Sequence, residues 1–281
     1  MGAVGPGRRL VRMAELRATS ADGESVTALD DGSGPPLLLV HGGAGSAASW
    51  DAVVPWLADG FRVVRVTRRI YAPGAVVPPG HSMAVEAADL AAVARRLAPP
   101  VLLAGHSSGA VAALEAAVRA PALWAGLLLY EPPVPTRSPV GAEAAGRARA
   151  ALAAGDPDRA VRIQLRDIVR EPAERVERLL ADPVRRSRLT AGLPAQIADI
   201  DAVDALGVGV DRFRRLDLPT TLVEGDRSPA HLRGRLADLA GALPDAAVVT
   251  LAGQGHSAHL TAPQALADAI RDAARRAFRV R

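Results

Sequence analysis

Gly105-His106-Ser107-Ser108-Gly109 sets a serine hydroxyl between two glycines, with the apolar run Val101-Leu102-Leu103-Ala104 before it and a helical pattern after it. A serine on a strand-to-helix turn has its hydroxyl lifted out of the sheet as a nucleophile, and the turn is too tight for bulk two positions to either side. The same turn puts the Ser108 N–H at a helix N-terminus, where it can face a developing oxyanion. A serine needs a general base to attack a carbonyl, and the chain offers six histidines, at 41, 81, 106, 231, 256 and 259. The absence of cysteine removes thiolate nucleophiles, disulfides, zinc fingers and iron–sulfur clusters together.

The elements that must position Ser107 are legible as short apolar runs alternating with longer helical patterns. Residues 37–40, 61–66, 101–104, 126–130, 220–223 and 247–251 read as buried strands bounded by Gly, Pro or Asp. Strands apolar on both faces predict a mostly parallel sheet covered by helices, here about 49–58, 83–97, 109–119, 231–243 and 263–278. The expected fold class is therefore α/β, a doubly wound sheet. Residues 11–19 and 25–29 flank Ala21-Asp22-Gly23 and predict an antiparallel hairpin at the sheet edge. Between Pro132 and Leu218 the alternation stops. Val161, Leu165, Ile168 and Val169, then Val176, Leu179 and Leu180, predict helices there, so 132–215 reads as a helical cap inserted into a core of 1–131 and 216–281. From Ser138 to Arg215 there are 14 Arg against 12 acidic residues, a balance expected of a solvated outer face.

Strand, His41-Gly42-Gly43, Gly-x-Ser-x-Gly elbow, cap and late histidine follow one another in an order that resembles the α/β-hydrolase superfamily along nearly the whole chain. The resemblance implies that the Gly43 N–H joins Ser108 in the oxyanion hole. It also implies that His256 is the base, because Gly253-Gln254-Gly255-His256 lies between the last strand and a helix. The acid departs from the commonest pattern: Gly225-Asp226-Arg227-Ser228-Pro229 has Ser228 at the usual acid position and Asp226 two residues early. Glu131, directly after the strand 126–130, is the expected acid, since some members of the superfamily place it there and a carboxylate following five apolar residues needs a partner. Asp226 is the alternative acid.

Other classes fit less of the chain. The net charge of +4 divides into +3 on residues 1–17, +4 on residues 271–281 and −3 on the body, so basicity belongs to the two ends. With eight aromatic side chains and no recognition motif, no nucleic-acid partner is expected. The longest apolar run, Ala120–Tyr130, is 11 residues, too short to cross a bilayer, and no signal is readable at the start, so a cytoplasmic chain with no membrane partner is expected. Gly43-x-Gly45-x-x-Ala48 fits a dinucleotide fingerprint, with Arg68 and Arg69 placed to hold an NADP phosphate, but that reading leaves Ser107 and His256 unused. His256-x-x-His259 lacks a third metal ligand, so neither metal nor organic cofactor is expected. The expectation is a serine hydrolase acting on an ester, lactone or thioester of a small to medium apolar molecule, with a lyase, cyclase or acyltransferase on the same fold as the alternative.

Overall fold

The computed structural model describes residues 14–279. Among them an eight-stranded sheet has the order β1-β2-β4-β3-β5-β6-β7-β8, with β1 Ala14–Thr19, β2 Ser25–Gly32, β3 Pro36–Val40, β4 Arg62–Val66, β5 Val101–His106, β6 Trp124–Tyr130, β7 Thr220–Gly225 and β8 Ala246–Leu251. β1 and β2 form the antiparallel edge, and every pairing from β4 to β8 is parallel. The hairpin expected at 11–19 and 25–29 is this edge, residues 11–13 lying outside the described residues.

Alternation along the strands divides the core. Leu38, Val40 and Leu103 pack on the face covered by α1 Met83–Arg95, α2 Ser108–Arg119 and, farther along the chain, Ala230–Ala242. Leu37, Leu39, Leu102 and Tyr130 pack on the opposite face against Pro263–Arg279. Both side-chain sets of a strand are thus out of water, which is why these strands read as unbroken apolar runs.

Residues between β6 and β7 hold four helices, α3 Ala142–Ala153, α4 Pro157–Ile163, α5 Ala173–Ala181 and α6 Pro183–Asp204, around a separate small core that includes Ala148, Val161, Leu165, Val176 and Ile197. The expected helical run at 161–169 passes through a π turn at Gln164–Ile168. The later core helices are α7 Ala230–Ala242, α8 Ala258–Thr261 and α9 Pro263–Arg279. The helix expected at 49–58 is instead two 3-10 turns, Ala47–Trp50 and Val54–Trp56, because Pro55 lacks the N–H an α-helix needs there. No helix of the described residues is long and apolar enough to cross a membrane.

Candidate active site

Ser107 sits between β5 and α2 with φ 53° and ψ −130°, a conformation that L residues avoid and that the surrounding contacts must enforce. The elbow glycines have a steric cause. A Cβ on Gly105 would lie 2.5 Å from the Ala110 Cα, and one on Gly109 would lie 2.1 Å from the His41 carbonyl oxygen. The helix must approach both its own strand and the β3 loop that closely for Ser107 to stand at the strand ends. The His41-Gly42-Gly43 loop closes the other side, where a Cβ on Gly42 would meet the Ser107 Cβ at 2.9 Å. Gly43 and Ser108 are neighbours there, the Ser108 Oγ being 3.7 Å from where a Gly43 Cβ would stand.

Glu131 follows β6 at φ 46° with its side chain fully buried, and its Oε2 accepts a 2.5 Å hydrogen bond from the Nδ1–H of His256. Its Oε1 accepts from the Gly225 N–H at 2.8 Å. Burial works to raise the Glu131 pKa, but the hydrogen bond and charge of His256, with the nearby Ser228 hydroxyl and the Gly225 N–H, bring it below the ordinary glutamate value. The Ser228 hydroxyl makes no hydrogen bond of its own, yet it stands beside the carboxylate from the position where the acid is usually found. Asp226, in contrast, is exposed. With Nδ1 committed to Glu131, Nε2 is the nitrogen of His256 left to take a proton.

Two buried side chains, each directly preceding a residue of this site, strap the loop that carries His256. His106 Nε2–H donates to the His256 carbonyl at 2.8 Å, and burial pushes the His106 pKa well below the ordinary value, so the ring stays neutral. Tyr130 O–H donates to the Gly255 carbonyl while its oxygen accepts the Ala258 N–H at 3.0 Å. Tyr130→Phe removes both bonds and leaves the partner groups unsatisfied. We expect a loss of about 2 kcal/mol of stability in urea unfolding, with the ring's packing retained.

The fingerprint Gly43-x-Gly45-x-x-Ala48 forms no phosphate cradle. It leads into the 3-10 turn Ala47–Trp50, and Gly45 is required because a Cβ would press on Ser49 Oγ at 2.8 Å and on His41 Nδ1 at 2.9 Å. Arg68 and Arg69 are already paired. Arg69 holds Asp89 and Asp22. Arg68 is buried, with Nε on Glu86 Oε2 at 3.0 Å, Nη1 on Asp199 Oδ2 at 3.0 Å and Nη2 on Asp199 Oδ1 at 2.5 Å. Burial works against the Arg68 charge, but Asp199 and Glu86 push its pKa well above the ordinary arginine value. Asp199 belongs to α6, where the charge balance predicts a solvated face; it is buried beside the Gly42-Gly43 loop instead, where it also accepts from Ser108 Oγ–H at 2.6 Å and from Tyr71 O–H at 2.8 Å.

The sequence model of the alpha/beta hydrolase family matches residues 37–269, and the chain belongs to that family. A solved alpha/beta hydrolase from Sphaerobacter thermophilus superposes with a TM-score of 0.79 at 28% identity, covering 92% of this chain and 99% of that one. The 2-(acetamidomethylene)succinate hydrolase of Mesorhizobium japonicum is 26% identical over 86% of this chain and 88% of its own length. The pimeloyl-[acyl-carrier protein] methyl ester esterase of Methylococcus capsulatus is 38% identical over 35% of this chain and 37% of its own length. Curated relatives matched at 38% or 39% identity are spanned over only 17–37% of their length.

Proposed function

We propose that the chain is a serine hydrolase that cleaves an ester, lactone or thioester of a small to medium, largely apolar molecule through an acyl-enzyme. Two observations carry the reading: the buried Glu131 carboxylate on His256 Nδ1, and a serine held at φ 53° on the turn between β5 and α2. Relatives named as an esterase and a hydrolase support the same class of reaction.

In this mechanism Ser107 Oγ attacks the carbonyl carbon and its proton passes to His256 Nε2. Glu131 keeps the imidazole in the required tautomer and stabilises the imidazolium. The carbonyl oxygen becomes an oxyanion that accepts from the Gly43 and Ser108 N–H groups. As the tetrahedral intermediate collapses, His256 returns the proton to the leaving alcohol or thiol, and the acyl group stays on Ser107. Water then attacks the acyl-enzyme, its proton going to His256, and a second collapse frees the acid and restores the Ser107 hydroxyl. Residues 132–215 act as the cap, and Asp199 is the point at which they reach the chemistry.

Intact-mass analysis after exposure to a fluorophosphonate tests this without knowledge of the substrate. One adduct is expected on the wild-type chain and none on Ser107→Ala. A folded wild-type protein that takes no adduct would overturn the activated serine and move the assignment to a lyase, a cyclase or a binding protein on the same fold.

A further inference from the structure

The mechanism above makes no use of the polar group buried beside Gly43. Arg68, Tyr71 and Ser108 direct four donors at a single carboxylate: two guanidinium N–H groups in a fork and two hydroxyls. A fork contact of this kind recognises a planar carboxylate by shape as well as charge. The donors are held from behind. Glu86 fixes the Nε edge of Arg68, and His41, whose Nδ1–H donates to the Gly42 carbonyl, accepts the Arg68 backbone N–H on Nε2 at 3.0 Å. The receptor is thus built by the core, on residues at the ends of β3, β4 and β5 and in the helix α1, whereas the carboxylate comes from α6 of the insertion.

Its location matters as much as its composition. A Cβ on Gly43 would stand 3.8 Å from Asp199 Oδ2 and 3.3 Å from the Tyr71 hydroxyl, so the carboxylate borders the backbone that would hold the oxyanion. If the contact served only to dock α6, apolar side chains would dock it without the desolvation cost of a buried ion pair. The segment that carries Asp199 also has a weak point: Pro194, inside α6, cannot donate to the Thr190 carbonyl.

We infer that Arg68, Tyr71 and Ser108 form a carboxylate-binding subsite next to the oxyanion hole, which Asp199 fills in this structure and which a carboxylate on the substrate takes over. The inference rests on the proposed function for the identity of the oxyanion loop, and it refines the substrate to a largely apolar acyl chain that ends in a carboxylate. On binding, the substrate carboxylate replaces Asp199 on the same four donors, and Asp199 withdraws with α6 toward solvent. The donors are satisfied only when a second carboxylate takes the place of Asp199, which gives the enzyme a preference for acidic substrates over neutral ones of equal length.

Two measurements test this separately from hydrolysis. In Asp199→Ala the cradle is empty, and calorimetry at constant ionic strength is expected to show saturable binding of acetate, at least tenfold tighter than to the wild-type chain, and none of acetamide. Folded Asp199→Ala that does not bind acetate would overturn the subsite, whatever the enzyme hydrolyses. The second measurement uses the wild-type chain and 4-nitrophenyl monoesters of succinate, glutarate and adipate, each paired with its ω-carboxamide. The expected kcat/KM ratio at the best chain length is about tenfold or more in favour of the carboxylate. Tyr71→Phe, which leaves the Arg68 fork in place, should reduce that ratio. Equal rates for acid and amide across the series would overturn the substrate assignment. Acetate binding to Asp199→Ala, with no ester turned over by the wild-type chain, would uphold the subsite and refute the hydrolase reading instead.

Discussion

Glu131→Gln lowers kcat on an activated ester by about 10³- to 10⁴-fold, while Asp226→Asn changes it by no more than about twofold. Glutamine occupies the volume of the carboxylate and can still accept from the Gly225 N–H, so the β6 end keeps its shape. What disappears is the negative charge on the His256 Nδ1 side, and with it, in the proposed mechanism, the stabilisation of the imidazolium formed when Ser107 gives up its proton. Asp226 is exposed, and in this structure the Nδ1 that an acid would orient is already taken by Glu131. The buried Ser228 hydroxyl beside the Glu131 carboxylate supplies a stronger check. A carboxylate introduced there approaches the same imidazole from β7, so Ser228→Asp in the Glu131→Gln background should recover at least about tenfold of the lost rate. Steady-state kinetics on one ester for the four proteins decides it: equal activity of wild type and Glu131→Gln would remove Glu131 from the mechanism.

The turn at Ser107 and the pairing of Glu131 with His256 were legible because each residue is announced locally. Gly105 and Gly109 flank Ser107 within five residues, Glu131 breaks an apolar strand, and His256 follows glycines after the last one. The sheet was legible for the same reason, since Leu37 to Val40 and Leu127 to Leu129 must be apolar on both faces to lie between two helical layers. Asp199 was not legible by that route. Counting charges over residues 138–215 averages it with eleven other acidic residues, most of them open to water, although its spacing carried a signal: it lies four residues before the buried Val203, on the inward stripe of α6. Arg68 stands out by type and position, but its partner is remote in sequence, and an arginine after a strand reads equally well as a phosphate ligand. The helix expected at 49–58 failed on Pro55, whose effect on backbone hydrogen bonding outweighs the periodicity of its neighbours.

Stability falls steeply on acidification, starting near pH 6.5 and therefore well before any carboxylate of the site is protonated. Burial lowers His41 to about 3 and His106 well below its ordinary value, and it lowers the part-exposed His231 and His259 to about 4. Their values in the unfolded chain lie near 6.5, so below that pH the unfolded state binds protons that the native state refuses, and the equilibrium moves toward unfolding as pH falls. His41, held at about 3, costs about 2 kcal/mol by pH 5 at roughly 1.4 kcal/mol per pH unit, and the buried His106 acts in the same direction. The two part-exposed rings add less, because water screens them. Together this is a large part of the roughly 5–15 kcal/mol that holds a domain of ordinary stability. Glu131 and Asp199, both held below their ordinary values, act in the same direction but later: their contribution is complete above the ordinary carboxylate range and is lost only as pH drops through their lower folded values. Urea unfolding at pH 7.5, 6.0 and 5.0 should thus show the midpoint dropping most between the last two, with uptake of about two protons or more on unfolding at pH 5. His106→Gln, which keeps an N–H for the His256 carbonyl but cannot be charged, should flatten that slope by about one proton. An unfolding free energy unchanged from pH 7.5 to 5.0 would mean that these rings carry their charge inside the fold, and the neutral tautomers assigned to His41 and His106 would fall with it.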